Sequence, residues 1–451
     1  MPEEAENPPS PKTVDTGFAP EIDLFCKHID AISNVVVPMM MAFQHITKEI
    51  EDKLIKFEKS VCEIHEADGK RSILIPNDKF RDWKRQHRKL EHYQLSCTLL
   101  PRSLLVSLIS QYDAYLGRLL RVIFTQKPAI LNGSERHLTF ESLNNFSSIE
   151  DAREHILEKE IESILRTSHA DQFNWMEKKF SLPLTKNLAI WPNFIEITER
   201  RNLFVHTDGV VSSQYISTCR NHGYELPANL KEGGRLDVPQ KYFENASDCI
   251  YEIGVKLGHV LWRKMLPEER KKADSHLLRI TYDLIDTGRY QLAIRILEFI
   301  ISGIKKFHSE EMELMFIVNL AQAYKWSGAP EKCASVMDLK DWSAKSEQFK
   351  LANAVLAEDW GQASIIMRRI SKVGVVSEDN YRDWPLFREW RKQPKFLESY
   401  KIVFGKEFER KSEIKQEEAT ENQESKITPK RKRSPRSAPP RAKNTTNPAS
   451  A

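Results

Sequence analysis

Glycine is scarce in this chain, at 16 of 451 residues, about half of ordinary usage. Few positions are free to take the positive backbone angles of tight turns, so helices are favoured over turn-rich sheets. Cysteine is sparse as well. Cys26, Cys62, Cys97, Cys219, Cys249 and Cys333 are widely scattered and form no CxxC pair, so neither a zinc site nor a disulfide framework is indicated and they read as reduced thiols. Long apolar runs are missing too. The longest, Val35–Phe43, falls well short of the roughly 18 residues that a bilayer span requires and contains Pro38, so no membrane association is expected. The opening MPEEAENPPSPK is acidic and proline-rich, unlike a signal peptide; the expected location is cytoplasmic. Absent also are a phosphate-binding GxxxxGK loop, a GxGxxG turn, an HExxH helix and a GxSxG elbow. A nucleotide hydrolase or metalloenzyme is therefore disfavoured, and no cofactor or metal is expected.

What is present reads as a globular, all-α chain. Hydrophobic residues make up 40% and charged ones 29%, and the length suggests two or three domains. The formal charge of +4 hides an asymmetry: Lys426–Ala451 carries eight basic residues and no acid, so removing it from +4 leaves the rest at −4. Bulk charge thus does not mark the folded body as a general nucleic-acid binder.

Residues 1–17 are polar and proline-rich and are expected to be disordered. From Glu21 to Ser60 apolar residues recur at intervals of three and four, the pattern of a long helix with a bend at Pro38. A loop or small hairpin is expected in Glu63–Asp78. A very basic helical stretch follows at Lys79–Lys89, KFRDWKRQHRK, either a solvated face or an RNA-binding patch. After Pro101 comes the cleanest amphipathic helix, with Leu105, Leu108, Ile109, Tyr112, Leu116 and Leu119 on one stripe and Asp113 at its edge. Further helices are expected from Ser148 to Arg166, from Asp171 to Phe180, from Pro192 to His206 and from Tyr242 to Met265, with a loop between Ser217 and Pro239. Pro267 and the charged run after it suggest a domain boundary, giving residues 18–266 and 267–408 as two helical domains. In the second, Gly288-Arg289-Tyr290, Ala321 with Tyr324 and Gly328, and Ala357 with Asp359 and Trp360 resemble the turns and helix crossings of tetratricopeptide repeats; an ordinary helical bundle is the alternative. Tyr381–Tyr400 is expected to form a capping helix. Residues 409–451 form a basic tail expected to be disordered; its KRKR, Lys430–Arg433, reads equally as a nuclear address, a contact for RNA or an acidic partner, or a solubility device.

The chemistry concentrates in WPNFIEITERRNLFVHTDG, Trp191–Gly209. Asn202 and His206 stand four apart on one helical face, with Arg201 to the side. A fixed guanidinium grips a phosphate and an imidazole titrates near neutrality, so the set supplies what RNA cleavage through the ribose 2′-hydroxyl needs without a metal. His206 would act as acid or base, and Arg201 would stabilise charge at phosphorus. Arg200, one residue along, is expected to face solvent. The bland reading of the same residues is an Arg201–Asp113 ion pair tying two helices, with His206 capping the last carbonyls of its helix.

Residues 18–266, with ERRNLFVH near their end, resemble the HEPN superfamily (higher eukaryotes and prokaryotes nucleotide-binding domains). Its ribonuclease members carry an arginine, four to six residues and a histidine at a helix end, often with a polar residue after the arginine; Arg201, Asn202 and His206 match. Members also place an acid on an earlier core helix, and Asp113 fits that place. The resemblance implies a homodimer with a composite site, and metal-independent RNA cleavage in a toxin, phage-defence or RNA-processing setting. A protein partner is expected at the C-terminal repeats. The alternatives are a non-catalytic helical adaptor and a nucleotide-binding sensor.

Overall fold

A computed structural model describes residues 17–67, 70–133, 138–371, 374 and 376–409. The expectations for the two tails, including the KRKR address, fall almost wholly outside these residues. The fold is all-α, with a single two-stranded hairpin among the described residues. The chain divides into two compact units, Met1–Met337 and Asp338–Ala451. Pro267 thus falls inside the first unit, and the helices that follow it pack onto those that precede it.

In the first unit, α1 (Phe18–Val61) and α2 (Phe80–Gln126) form a long helical pair joined by strands β1 (Glu63–Ala67) and β2 (Lys70–Leu74), which pair antiparallel. Both helices continue through a proline, Pro38 and Pro101. The basic stretch and the amphipathic stripe are consequently one helix, where two were expected. Proline costs one backbone hydrogen bond in a helix interior, but the apolar stripe from Leu105 to Phe124 is buried almost throughout and holds the helix together. Among the described residues α1 is the helix long and apolar enough to cross a membrane, by length and composition only; 11% of its most apolar window is buried.

The core of this unit forms where α8 (Gln240–Met265) lies against α1 and α2. Phe25 and Tyr115 stack with ring centroids 4.2 Å apart, and the Tyr115 hydroxyl donates to the carbonyl of Gly254 at 3.0 Å. Glycine is what permits the approach: a Cβ at Gly254 would lie 2.2 Å from the Phe25 ring, and one at Gly258 2.2 Å from the Tyr115 hydroxyl. Around this core come α3 (Phe140–Leu143), α4 (Ile149–Leu165), α5 (His169–Phe180), α6 (Trp191–His206) and α7 (Ser213–Asn221). As expected, Ser148 caps α4, accepting from the Asp151 amide at 3.0 Å. Helix α7 occupies part of the expected loop; Ser212 caps it, and Tyr215 and Cys219 bury its inner face.

The unit ends with α9 (Arg270–Asp286), α10 (Tyr290–Gly303), α11 (Glu310–Trp326) and α12 (Pro330–Met337). In the second unit lie α13 (Glu347–Leu356), α14 (Trp360–Ile370), α15 (Glu378–Asp383) and α16 (Pro394–Phe404). Three helical hairpins, α9–α10, α11–α12 and α13–α14, close with one turn geometry. Arg289, Ala329 and Asp359 each donate an amide to the carbonyl five residues back, at 2.8, 3.0 and 2.9 Å. The residue before each is left-handed: Gly288 at φ 79°, Gly328 at 85° and Glu358 at 60°. The expected single helix over Tyr381–Tyr400 is instead broken by Pro385 and Pro394 into α15, two short turns and α16. Its aromatic residues still meet, with Trp390 and Phe396 5.0 Å apart.

Candidate active site

Helix α6 starts with Pro192 in its first turn, where the missing N–H costs nothing. It stops at a turn that α2 holds in place. Gly209 adopts φ 83° and its amide returns to the Leu203 carbonyl at 3.0 Å; a Cβ there would meet the Leu236 carbonyl oxygen at 2.9 Å. Buried Arg102 of α2 donates to the Asp208 carboxylate at 3.1 Å and to Asp237 at 2.9 Å. Asp208 also pairs with Arg235. Of the last α6 carbonyls, that of Leu203 accepts from the Thr207 and Gly209 amides at 2.8 and 3.0 Å, and the Thr207 Oγ1 lies within hydrogen-bond reach of it and of the Val210 carbonyl beyond the helix, at 3.0 and 2.9 Å. Capping is therefore not the work of His206. That side chain is exposed and makes no hydrogen bond or ion pair among the described residues.

The four residues singled out in the sequence, Asp113, Arg201, Asn202 and His206, all border one cleft of about 500 Å³. Asp113 projects from the edge of the α2 stripe and uses both carboxylate oxygens: Oδ2 accepts from Arg201 Nη2 at 2.7 Å and Oδ1 from His169 Nε2 at 2.8 Å. A carboxylate only accepts, so Nε2 of His169 is the donor in this contact. Arg201 Nη1 reaches Asn202 Oδ1 at 3.3 Å, while its Nε–H is buried with no partner. Each terminal nitrogen of the guanidinium carries a second N–H beyond these bonds, the kind of donor that takes an anion. Asp113 borders the cleft and at the same time holds both Arg201 and His169, so it sets the direction of the arginine.

Several cleft residues were not anticipated, among them His169 and Glu199. His169 was placed ahead of a helix expected to begin at Asp171; in the structure Ser168 caps that helix, accepting from the Asp171 amide at 3.2 Å, and His169 is its first residue. Its ring is buried against Phe194, edge to face at 5.7 Å. Glu199 lies seven residues before His206, on the same α6 ridge as Asn202. Burial pushes its carboxyl above the usual range, while His169, Arg201 and Asn202 pull the other way. The ridge spacing of three and four was a signal in the sequence that would have found Glu199. Nothing local marked His169, whose role depends on how α5 meets α2.

Arg200 faces away from the cleft and, contrary to expectation, away from solvent. It is buried, with Nε donating to Glu196 Oε1 at 2.7 Å and Nη1 to the Asp237 carbonyl at 3.0 Å. Its guanidinium lies 3.9 Å over the Tyr242 ring. Glu196 also accepts from the Tyr215 and Tyr242 hydroxyls, each at 2.7 Å. Burial first, and then the Glu196 charge, push both phenols up. The sequence expectation failed because Glu196 and Arg200 disguise an inward ridge as a polar one. Compared with known proteins, the chain matches no family model, no curated protein and no solved structure.

Proposed function

We propose that the chain is a metal-independent endoribonuclease of HEPN type, working as a homodimer. The observation that supports it best is the cleft bordered both by a carboxylate-held arginine and by an exposed histidine with no hydrogen-bond partner among the described residues. The ribose 2′-oxygen attacks the adjacent phosphorus, forming an O2′–P bond as the P–O5′ bond breaks. The products are a 2′,3′-cyclic phosphate and a 5′-hydroxyl. His206, whose class of side chain exchanges protons near neutrality, takes the 2′-hydroxyl proton or delivers one to the leaving oxygen, a service typically worth about 10² to 10⁴ in rate. Arg201 meets the charge growing on the non-bridging oxygens. Asn202 steadies Arg201, and Asp113 with His169 fixes its direction. A toxin, phage-defence or RNA-processing role in the cytoplasm suits this chemistry, with the helical hairpins of residues 267–408, tetratricopeptide-like in their turns, recruiting a protein partner.

The test is incubation of the purified chain with total RNA in EDTA, wild type beside His206→Ala and Arg201→Ala. Cleavage by the wild type that both substitutions abolish, with melting temperatures preserved, supports the reading; cleavage that survives both sinks it. The competing reading is a non-catalytic adaptor. What favours it is that Asp113 ties α2, α5 and α6 together through Arg201 and His169, a structural task in its own right. That reading requires intact RNA in the same assay.

A further inference from the structure

The amino-terminal third of α2 carries a second feature that the cleft does not use. Lys79–His92 holds six lysines and arginines against two acids. Arg81, Lys84, Arg85, Arg88, Lys89 and His92, all exposed, line a shallow groove of about 350 Å³ that no acidic side chain enters. Of the two acids, Asp82 pairs with Arg85 of the groove at 3.2 Å, and Glu91 pairs with His87 at 3.4 Å. Arg81, Lys84, Arg88 and Lys89 have no ion pair among the described residues. Beside this cationic ridge, one residue back and so about 100° around the helix, runs an aromatic column. Phe80 stacks on Trp83 at 6.2 Å and Trp83 on His87 at 4.7 Å, with interplanar angles of 24° and 12°. Trp83 is fixed in turn by its Nε1 donation to Glu58 at 2.9 Å and by packing against Ile50, Leu54 and Leu90. Phe80 at the column's end is 46% exposed.

We infer that this ridge and column form an RNA-binding exosite that engages the substrate at a distance from the cleavage cleft. The inference rests on RNA being the substrate of the proposed ribonuclease. A row of unpaired cations suits a polymer with a charge on every unit, and a preformed aromatic column suits unstacked bases, the two devices by which proteins hold single-stranded nucleic acid. An acidic peptide or a lipid headgroup would use the charges and leave the aromatic column idle. Arg88 and Asp113 belong to one helix and stand 25 residues apart, which at about 1.5 Å per residue separates exosite and cleft by roughly 37 Å. At about 3.4 Å per nucleotide of stacked strand, only RNA longer than roughly 11 nucleotides occupies both. The exosite thus selects long over short RNA.

Binding is measured on the full His206→Ala chain, which removes cleavage from the readout, by fluorescence anisotropy with 30- and 6-nucleotide single-stranded RNAs over a salt series. Combining Lys84→Glu with Arg88→Glu is expected to weaken 30-mer binding at least tenfold and to shrink the preference for the longer RNA. The quadruple change of Lys84, Arg85, Arg88 and Lys89 to Gln, which keeps polarity on an exposed face, guards against misfolding and is checked by its melting temperature. It should lower the slope of log affinity against log salt by about 0.7 for each phosphate that is no longer neutralised. Unchanged 30-mer affinity in both variants overturns the proposal. So does equal binding of phosphatidylserine vesicles or poly-glutamate that the same substitutions abolish. Failure of the parent chain to cleave RNA defeats the nuclease reading alone, since the exosite is judged on binding.

Discussion

Arg200 and Arg201 are neighbours in the chain and face about 100° apart on α6, and the two sides of the helix that they mark are built in opposite ways. Around Arg200 the buried polar groups are tied together: Glu196 accepts from the arginine and from two tyrosine hydroxyls, and the guanidinium is covered by Tyr242. Around Arg201 the bonding stops short. Asp113 and Asn202 hold one end of the guanidinium, its Nε–H is unmatched, and His206 stands open. A closed network of buried charges fixes a fold, because removing any member strands the rest at low dielectric. On the Arg201 side, by contrast, an exposed histidine with no partner among the described residues borders the cleft, where something from outside can reach it. One side of the helix is therefore a closed scaffold and the other borders the cleft, and on the proposed reading that second side supplies the reagents.

The sharpest test of this contrast is His206→Ala. We expect RNA cleavage to fall by about 10² to 10⁴ while the melting temperature, read by circular dichroism, stays at the wild-type value, because nothing in the fold leans on that side chain. A large loss of stability would place His206 on the scaffold side. Arg200→Met should do the reverse, costing about 3–5 kcal/mol in denaturant unfolding by leaving Glu196 buried without its cation. Pairing it with Glu196→Gln should recover part of that loss. If Arg200→Met unfolds no more easily than wild type, the closed network is not holding the helix.

His169→Asn probes the border between the two sides. It removes a charge-assisted hydrogen bond from Asp113 and should cost about 1.5–3 kcal/mol of stability, with a further drop in cleavage as Arg201 loses its bearing. An effect on stability alone would make His169 purely structural. The smallest effect is expected from Glu199→Gln. Burial raises the folded carboxyl above its unfolded value, so folding favours the protonated form and the charged form penalises stability as pH rises through that window. The variant should melt slightly higher than wild type at pH 7, with the difference vanishing below the ordinary carboxyl range. Equal melting at every pH would show that the Glu199 charge is fully compensated by Arg201 and Asn202.

Much of this was legible in residues taken singly or in short patterns. Periodic apolar positions specified α2, α6 and α8, Ser148 announced the start of α4, and Asp208-Gly209 announced the end of α6, since such signals act within a few residues of where they stand. Pro101 misled because a proline's local cost is visible in a sequence, whereas the buried stripe that outweighs it depends on packing. Arg200 misled for a related reason: a charge looks solvent-bound until its partners are known, and Tyr215, Tyr242 and the Asp237 carbonyl come from elements 15 to 42 residues further on.

By itself the sequence determined that the chain is helical, where most helices lie, and that Arg201, Asn202 and His206 belong together, because helical periodicity and capping are local properties of the backbone. Only the tertiary structure decided which arginine is buried and which serves the cleft, that Asp113 divides its oxygens between Arg201 and His169, and that the basic ridge shares a helix with the cleft. Those facts depend on which faces of distant helices meet, and burial, which turns a charge into a structural tie or a reactive group, exists only once they have met.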